Sequence, residues 1–142
     1  MLLTHLPIPP TSNRFLIPAN GRLIKSPEAR RYEGTMHIYA LRFFKQIEAI
    51  AEAFKGKHLR VDRYFIFHKS RLITKKDTLK KLDSSNRVKI LDDSVSKLIG
   101  IDDCYFITGV AEKLWCDDPK DEQVILKFSE YSLKEFKAVG DL

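Results

Sequence analysis

A long helix followed at once by an apolar strand is the feature that most constrains this fold. The run Ser26-Pro27-Glu28 is typical of a helix start, because a hydroxyl caps the helix, proline fits its first position and an acid lies in its first turn. Apolar residues then recur every three or four positions, at Leu41, Phe44, Ile47, Ala51 and Phe54. The pattern predicts a helix from Ser26 to about Phe54, loosened at Gly34 and ended by Gly56.

Strand patterns fill much of the remaining chain. Residues 59–68 (LRVDRYFIFH) are β-branched and aromatic, and residues 2–10 read as a short strand that stops at its prolines. Residues 104–115 and 123–128 predict two strands that pair as a hairpin through the turn at 117–122. We expect residues 11–26 to be a loop, residues 69–81 an exposed basic loop or strand end, and the tail at 130–142 a short helix.

A second helix is predicted from Ser84 or Ser85 to Ile99, closed by Gly100. Its core stripe consists of Val88, Leu91, Val95 and Leu98. The element order is then β-α-β-α-β-β, which predicts an α+β fold with a mixed β-sheet and two main helices in a single domain spanning residues 1–142.

Charge favours an anionic partner. The chain of 142 residues has a formal net charge of +6 and a pI of about 9.3, as is common in nucleic-acid-binding domains. Its two cysteines, Cys104 and Cys116, form no metal-binding pattern, which argues against structural zinc. We find no secretory signal and no membrane-spanning run, and we expect no small-molecule cofactor and a cytoplasmic location.

Carboxylates gather at both ends of the second helix. Asp83 precedes it and Asp102 and Asp103 follow it, while Asp92 lies beside the apolar stripe, about 40° from Val88. Each acid has an ordinary explanation, since Asp83 can cap the helix, Asp102 and Asp103 can be turn residues, and Asp92 can pair with Lys89. Together they also suit Mg²⁺, a hard cation with oxygen ligands that can promote phosphodiester hydrolysis on a basic, DNA-binding surface.

Three stretches together resemble the RusA family of Holliday-junction resolvases, and the resemblance spans roughly residues 3–128. The segment LPIPPTSNRF at 6–15 is similar to the family's Pro-Pro-Ser-Asn-Asn-Arg-Tyr signature. LDSSNRVKILDDSV resembles its Asp-x-Asp-Asn-x-x-Lys…Asp helix, and IGIDDCYF resembles the Asp-Asp that follows. The resemblance implies a Mg²⁺-dependent endonuclease that acts as a homodimer on four-way or otherwise branched DNA, in a bacterial or phage-infected cell.

Residue by residue, the resemblance assigns Asp83 as the first motif acid, Asn86 as its asparagine and Lys89 as its lysine, with Asp93 further along and Asp103 as the last acid. The second motif acid is Ser85 here, and a hydroxyl is a poorer ligand than a carboxylate. Three interpretations stay open: Asp92 replaces the acid, Ser85 holds a metal-bound water, or the chain is a non-catalytic DNA-binding dimer. We expect Asp83, Asp92 and Asp103 to bind Mg²⁺ or Mn²⁺, with Lys89 assisting catalysis.

Basic residues near these motifs are candidate DNA contacts. They are Arg14 in the first motif and the four lysines that lead into Asp83, namely Lys75, Lys76, Lys80 and Lys81, together with Asn86. A helix of about 22 Å separates Asp83 from Asp103 unless the following loop doubles back. Two such helices, packed antiparallel about a two-fold axis, would bring Asp103 of one chain near Asp83 of the other. A protein-interaction module with a basic surface remains a third class of function.

Overall fold

The fold is organised around β4 (Leu59–His68), whose aromatic and β-branched residues form the central strand of a five-stranded mixed sheet. The computed structural model describes residues 1–141. The other strands are β1 (Leu2–Leu6), β2 (Leu16–Ala19), β3 (Arg22–Lys25), β5 (Phe106–Thr108), β6 (Ala111–Cys116) and β7 (Gln123–Glu130). The helices are α1 (Pro27–Arg42), α2 (Phe44–Phe54), α3 (Lys69–Leu72) and α4 (Ser85–Ile99). The predicted α+β fold with a mixed sheet is confirmed.

The strands on the two sides of β4 run in opposite directions. On one side β7 pairs with it antiparallel and β1 pairs antiparallel with β7, whereas β5 and β6 lie on the other side, parallel to β4. Phe65 and Phe67 of β4 are fully buried in a core that also contains Leu91 and Val95 of α4. The core thus fixes α4 against the central strand.

The predicted hairpin between the last two strands is wrong. Phe65 faces Lys113 of β6 on one side and Val124 of β7 on the other, so β4 separates the two strands. The connection between β6 and β7 crosses the end of β4, where the His68 backbone N–H donates to Glu122 Oε2 at 2.8 Å. The apolar β4 gains most by pairing along both of its edges, and this gain overrides the usual pairing of consecutive strands.

The strand predicted over residues 104–115 is interrupted at Gly109. Its φ is +151°, and a Cβ at this position would lie 1.7 Å from the Val61 carbonyl oxygen. Glycine therefore lets the chain pass close to β4 between β5 and β6.

The first helical segment divides at Phe43 rather than loosening at Gly34. Phe43 has φ −112° and ψ 22°, and its ring stacks on Tyr39 at a centroid distance of 4.6 Å. The division changes the phase of the helical pattern, so Leu41 and Phe44 are exposed, contrary to the prediction, while Ile47 and Phe54 are buried as expected. The residues that α1 buries are Ala29, Tyr32, Met36 and Tyr39.

The second main helix agrees closely with its prediction. It runs from Ser85 to Ile99, and Gly100 ends it in the left-handed conformation at φ +68°. Leu91 and Val95 are buried, while Val88 and Leu98 are only partly buried. Ile90 and Ile99 are also buried, so the core stripe is rotated slightly from the predicted one.

Three connecting regions differ from expectation. The predicted loop at 11–26 contains the β2–β3 hairpin, whose turn at Asn20-Gly21 has positive φ at both positions. The basic segment begins with α3 and is then closed by a bridge between Ile73 and Leu79. The tail forms 3₁₀ turns at Leu133–Glu135 and Val139–Asp141 instead of one short helix. No helix within residues 1–141 has the length and apolar character needed to cross a membrane.

Candidate active site and DNA interface

The N-terminal end of α4 is organised by the carboxylate of Asp83. Asp83 Oδ1 accepts hydrogen bonds from the Ser85 backbone N–H at 2.9 Å and from the Ser85 hydroxyl at 2.7 Å, and Oδ2 accepts one from Asn86 Nδ2 at 2.8 Å. Asp83 therefore caps the first turn, and Ser85 and Asn86 hold its carboxylate in place. The N-cap position itself is Ser84, whose side chain makes no capping bond, so Asp83 acts from one residue before the cap instead of from the cap position that the sequence interpretation gave it, and its carboxylate stays at the surface.

These contacts also set the charge of Asp83. The hydroxyl of Ser85, then the backbone N–H groups of Asn86 and Ser85, and the charge of Lys113 lower the pKa of Asp83 below its usual range. Lys113 of β6 approaches this point by donating from Nζ to the Leu82 carbonyl at 3.0 Å. Asp83 is consequently an ionised acid, fixed in orientation, at the start of the helix.

Asp93 of α4 and Asp103, in the turn that follows the helix, form a second acidic group. After Gly100 the chain doubles back, and the 3₁₀ turn Asp103–Tyr105 packs against α4. Partial burial, followed by hydrogen bonding and repulsion from Asp93 and then from Asp102, raises the pKa of Asp103. Asp102 instead accepts a hydrogen bond from the Cys104 backbone N–H at 2.9 Å, so Asp103 is the acid that faces Asp93. We refer to Asp93 and Asp103 as the acidic pair.

Lys89 lies beside the acidic pair. Its Nζ is 3.4 Å from Asp93 Oδ1, an i,i+4 contact, and its side chain is 77% exposed. The pairing partner is thus Asp93 and not Asp92, and the lysine is free to reach a bound substrate because its contact with Asp93 is long and exposed.

Asp92 is paired away from the other acids, which argues against the prediction that it replaces the missing carboxylate. Arg63 of β4 donates from Nε to Asp92 Oδ1 at 2.8 Å and from Nη2 to Asp92 Oδ2 at 2.7 Å. Only 10% of the Arg63 side chain and 17% of the Asp92 side chain are exposed. Because both oxygens are engaged in a buried bidentate ion pair, the structure does not support Asp92 as a metal ligand or catalytic residue.

The two acidic groups are separated along α4. Asp93 is eight residues beyond Ser85, a distance of about 12 Å along the helix axis. Within residues 1–141 no three His, Cys, Asp or Glu side chains come together as a metal-binding group. Of the acids present, the acidic pair fits a divalent cation best, because two carboxylates repel each other there and Mg²⁺ commonly uses one or two carboxylates with waters.

The predicted DNA contacts lie on the surface near the start of α4. Lys75, Lys76, Lys80 and Lys81 are all exposed on the segment between α3 and α4. Thr74 and Thr78 close its turn through a hydroxyl–hydroxyl contact of 2.6 Å, and Asp77 adopts φ +56° there. Arg14 is 73% exposed and lies 3.9 Å from Glu28. Asn86 is partly buried and donates a hydrogen bond to Asp83. Its side chain therefore positions the acid, and it is less available to DNA than the exposed lysines.

Several charged residues near the site were not singled out from the sequence. Lys113 is brought to Asp83 only by strand pairing, and Lys55 and Lys57 line a cavity of about 520 Å³ with Asp102 and Tyr105. Arg87 could have been identified from the sequence, because it lies within the central motif, four residues after Asp83. Its Nη1 donates to the Pro9 carbonyl, which joins the N-terminal motif to α4.

A family comparison covers all of these motifs. The family model described as Endodeoxyribonuclease RusA matches residues 7–124, from the proline-rich segment through the start of β7. A search of curated proteins finds no match. Since the matched range spans most of the chain, including Asp83, the acidic pair and the basic segment, this protein belongs to the RusA endodeoxyribonuclease family.

Proposed function

We propose that this protein is a homodimeric, divalent-metal-dependent endonuclease that resolves four-way or branched DNA. The family supplies the nuclease class. The metal requirement is supported by the acidic pair: the turn that begins with Asp103 packs against α4, and the pKa of Asp103 is raised by partial burial and by Asp93. A dication between or beside the two carboxylates would relieve that repulsion.

In this proposal Asp103 and Asp93 hold the cation, and Asp83 supplies a further carboxylate to the same reaction. A bound Mg²⁺ or Mn²⁺ would supply Lewis-acid polarisation of the phosphodiester and would lower the pKa of a bound water. Lys89, at 3.4 Å from Asp93, offsets negative charge that develops on the phosphate. Asn86 and Ser85 keep the carboxylate of Asp83 in one orientation, and the exposed lysines at 75, 76, 80 and 81 bind the DNA backbone.

A second protomer accounts for the separation between Asp83 and the acidic pair. If α4 packs antiparallel to its counterpart about a two-fold axis, the acidic pair of one chain approaches Asp83 of the other. Exposed apolar residues on α1 and α2, of which α2 packs against α4, could extend such an interface, with Ile38 at 59%, Leu41 at 67% and Phe44 at 55% exposed. Two symmetry-related sites would also suit paired nicks across a junction.

Ser85 supports a second candidate, a junction-binding dimer without nuclease activity. Ser85 occupies the position of the family's second motif acid, and its hydroxyl donates to Asp83 at 2.7 Å. Because Asp92 is bound by Arg63, the helix has no spare carboxylate next to Ser85 to compensate. Shape-selective DNA binding would then remain without cleavage.

Cleavage of a labelled four-way junction against linear duplex, in Mg²⁺, Mn²⁺ or EDTA, separates the two candidates. We expect paired nicks in either metal, none in EDTA, and little cleavage of duplex. Asp83→Asn should abolish the nicks, while Asp117→Asn, an exposed acid on the β6–β7 connection, serves as the matched control. Tight junction binding with no cleavage in either metal would overturn the nuclease proposal in favour of the binding protein.

A further inference from the structure

We propose that Arg71 and Arg87, with Arg14 at the rim, form a binding site for one DNA phosphate other than the phosphate that is cleaved. The inference rests on the proposed function, since it assigns this site a place in junction binding. We call the three residues the arginine site. They would act as positioning residues that set which phosphate reaches Asp83.

The arginine site opens into a cavity of about 380 Å³ between distant parts of the chain. Its walls come from the proline segment Pro7–Pro10, from Glu28 to Thr35 on α1, and from Arg71 and Arg87. Ser26, the N-cap of α1, also holds the 3₁₀ turn Ser12–Arg14 nearby by donating from its hydroxyl to the Arg14 carbonyl. The site is therefore built by the fold, and not by flexible lysines on one loop.

Arg71 and Arg87 share one aromatic support. The guanidinium carbons lie 5.0 Å and 5.7 Å from the ring centroid of Phe67, a fully buried residue of β4. Stacking on a fixed ring limits the motion of both side chains, so little freedom is lost when an anion binds.

Both arginines retain donors for a ligand. Arg71 uses a single nitrogen, Nη1, for both oxygens of Glu122, and Arg87 uses Nε for the Asp83 carbonyl and Nη1 for the Pro9 carbonyl. Within residues 1–141, Nη2 of each arginine has no hydrogen-bond acceptor. Two such amino groups match the several acceptor oxygens of a phosphate.

Charge at the site is only partly balanced by the protein. Arg31, Arg71 and Arg87 line the cavity with Glu28, and Glu122 pairs with Arg71 at 3.0 Å, so positive charge remains in excess. Burial, then repulsion from Arg71 and from Arg14, lowers the pKa of Arg87. The attraction of Asp83 and Glu28 does not offset this repulsion, so an added anion would relieve it.

Position argues for a phosphate next to the reaction centre. Arg87 Nε donates to the Asp83 backbone carbonyl at 3.1 Å, whereas the Asp83 carboxylate accepts hydrogen bonds from Ser85 and Asn86, so the guanidinium lies beside Asp83 without occupying its carboxylate. A phosphate held there would fix the strand relative to Asp83 without competing for the carboxylate.

Phosphate-by-phosphate neutralisation tests this inference. We would prepare a set of junctions, each with one uncharged methylphosphonate linkage at a different position around the branch. Binding of each junction would be measured in EDTA, which prevents cleavage. The proteins compared are the wild type, Arg14→Gln, Arg87→Gln and Arg30→Gln. Arg14→Gln changes a largely exposed side chain, which keeps the test valid if Arg87→Gln unfolds. Arg30→Gln, an exposed arginine of α1 outside the cavity lining, is the matched control.

We expect one linkage, distinct from the cleaved one, whose neutralisation weakens wild-type and Arg30→Gln binding about tenfold. The penalty at the same linkage should be smaller in Arg14→Gln and smallest in Arg87→Gln, because each variant has already lost one of the arginine contacts with that phosphate. Equal penalties in all four proteins at every linkage would overturn the arginine site.

The nuclease proposal can fail separately from the arginine site. It fails if the protein does not cleave the junction in Mg²⁺ or Mn²⁺ but still binds it and still shows the linkage whose neutralisation weakens binding. Absence of junction binding by the wild type would overturn both proposals.

Discussion

The buried side of α4 and its exposed side use neighbouring aspartates in opposite ways. Asp92 is held by two hydrogen bonds from Arg63 between α4 and β4, and its charge is balanced inside the fold. Asp93, the next residue, neighbours Asp103, and this pair of like charges has an exposed contact with Lys89 at 3.4 Å in place of a buried ion pair. The comparison shows that charge balance, and not position in a motif alone, separates the acid that is paired inside the fold from the acids that we propose bind a cation.

Removing the partner of Asp92 should have the largest effect on stability. Arg63→Met leaves a carboxylate that is 17% exposed without its cation, and we expect a loss of about 3–5 kcal/mol in the free energy of unfolding. Urea denaturation followed by circular dichroism measures it. The double variant Arg63→Met/Asp92→Leu should recover most of the loss, because neither charge is then buried alone; no recovery would mean that Arg63 acts through other contacts.

Removing one acid of the exposed pair should affect cleavage and leave the fold intact. Asp103→Asn is expected to lower single-turnover cleavage by about 100- to 1,000-fold, a typical cost of losing one group that stabilises developing charge. Junction affinity in EDTA should stay within about twofold, because DNA binding depends on the basic residues. Wild-type cleavage by this variant would place the metal elsewhere.

Restoring the missing motif acid should change activity by a smaller factor. Ser85→Asp adds a carboxylate beside Asp83, and we expect about tenfold faster cleavage at subsaturating Mg²⁺, since Mg²⁺ prefers carboxylate to hydroxyl oxygen. Ser84→Asp adds the same charge one residue away and is the control. If the two variants behave alike, the gain is a general effect of charge and the motif position is unimportant.

The smallest expected effect is a pH-dependent change in stability. Because the pKa of Asp103 is raised in the folded state, the folded protein binds more protons than the unfolded chain between about pH 3.9 and that raised pKa. Stability contributed by protonated Asp103 is therefore lost as pH rises through this window. Without metal, Asp103→Asn should melt slightly above the wild type at pH 7 and equal to it near pH 3; a lower melting temperature at pH 7 would refute the repulsion.

Local sequence patterns predicted the strand and helix that carry the site better than they predicted the contacts of these elements with distant residues. The bounds of β4 and α4 follow from apolar periodicity, a glycine stop and β-branched residues, all of which are local. The position of Asp92 beside the apolar stripe also followed from helix geometry, and its side chain is only 17% exposed. Its partner Arg63 lies 29 residues earlier on β4, and only the packing of α4 on the sheet brings the two together.

Other differences have the same origin. The placement of β6 and β7 on either side of β4 depends on long-range pairing, as does the approach of Lys113 to the start of α4. The doubling back of the chain after Gly100, which sets Asp103 against Asp93, depends on the turn that follows the helix. Family resemblance located the acids in sequence, and the fold decided which of them share a site.

Single-turnover cleavage of a four-way junction by Asp92→Asn and Asp103→Asn, compared with the wild type in Mg²⁺, is the most direct test of this account. The temperature would be set so that circular dichroism shows all three proteins folded. We predict metal-dependent paired nicks by the wild type and by Asp92→Asn, and almost none by Asp103→Asn. Loss of cleavage in folded Asp92→Asn, with cleavage retained in Asp103→Asn, would contradict the assignment of Asp92 to the fold and Asp103 to the reaction.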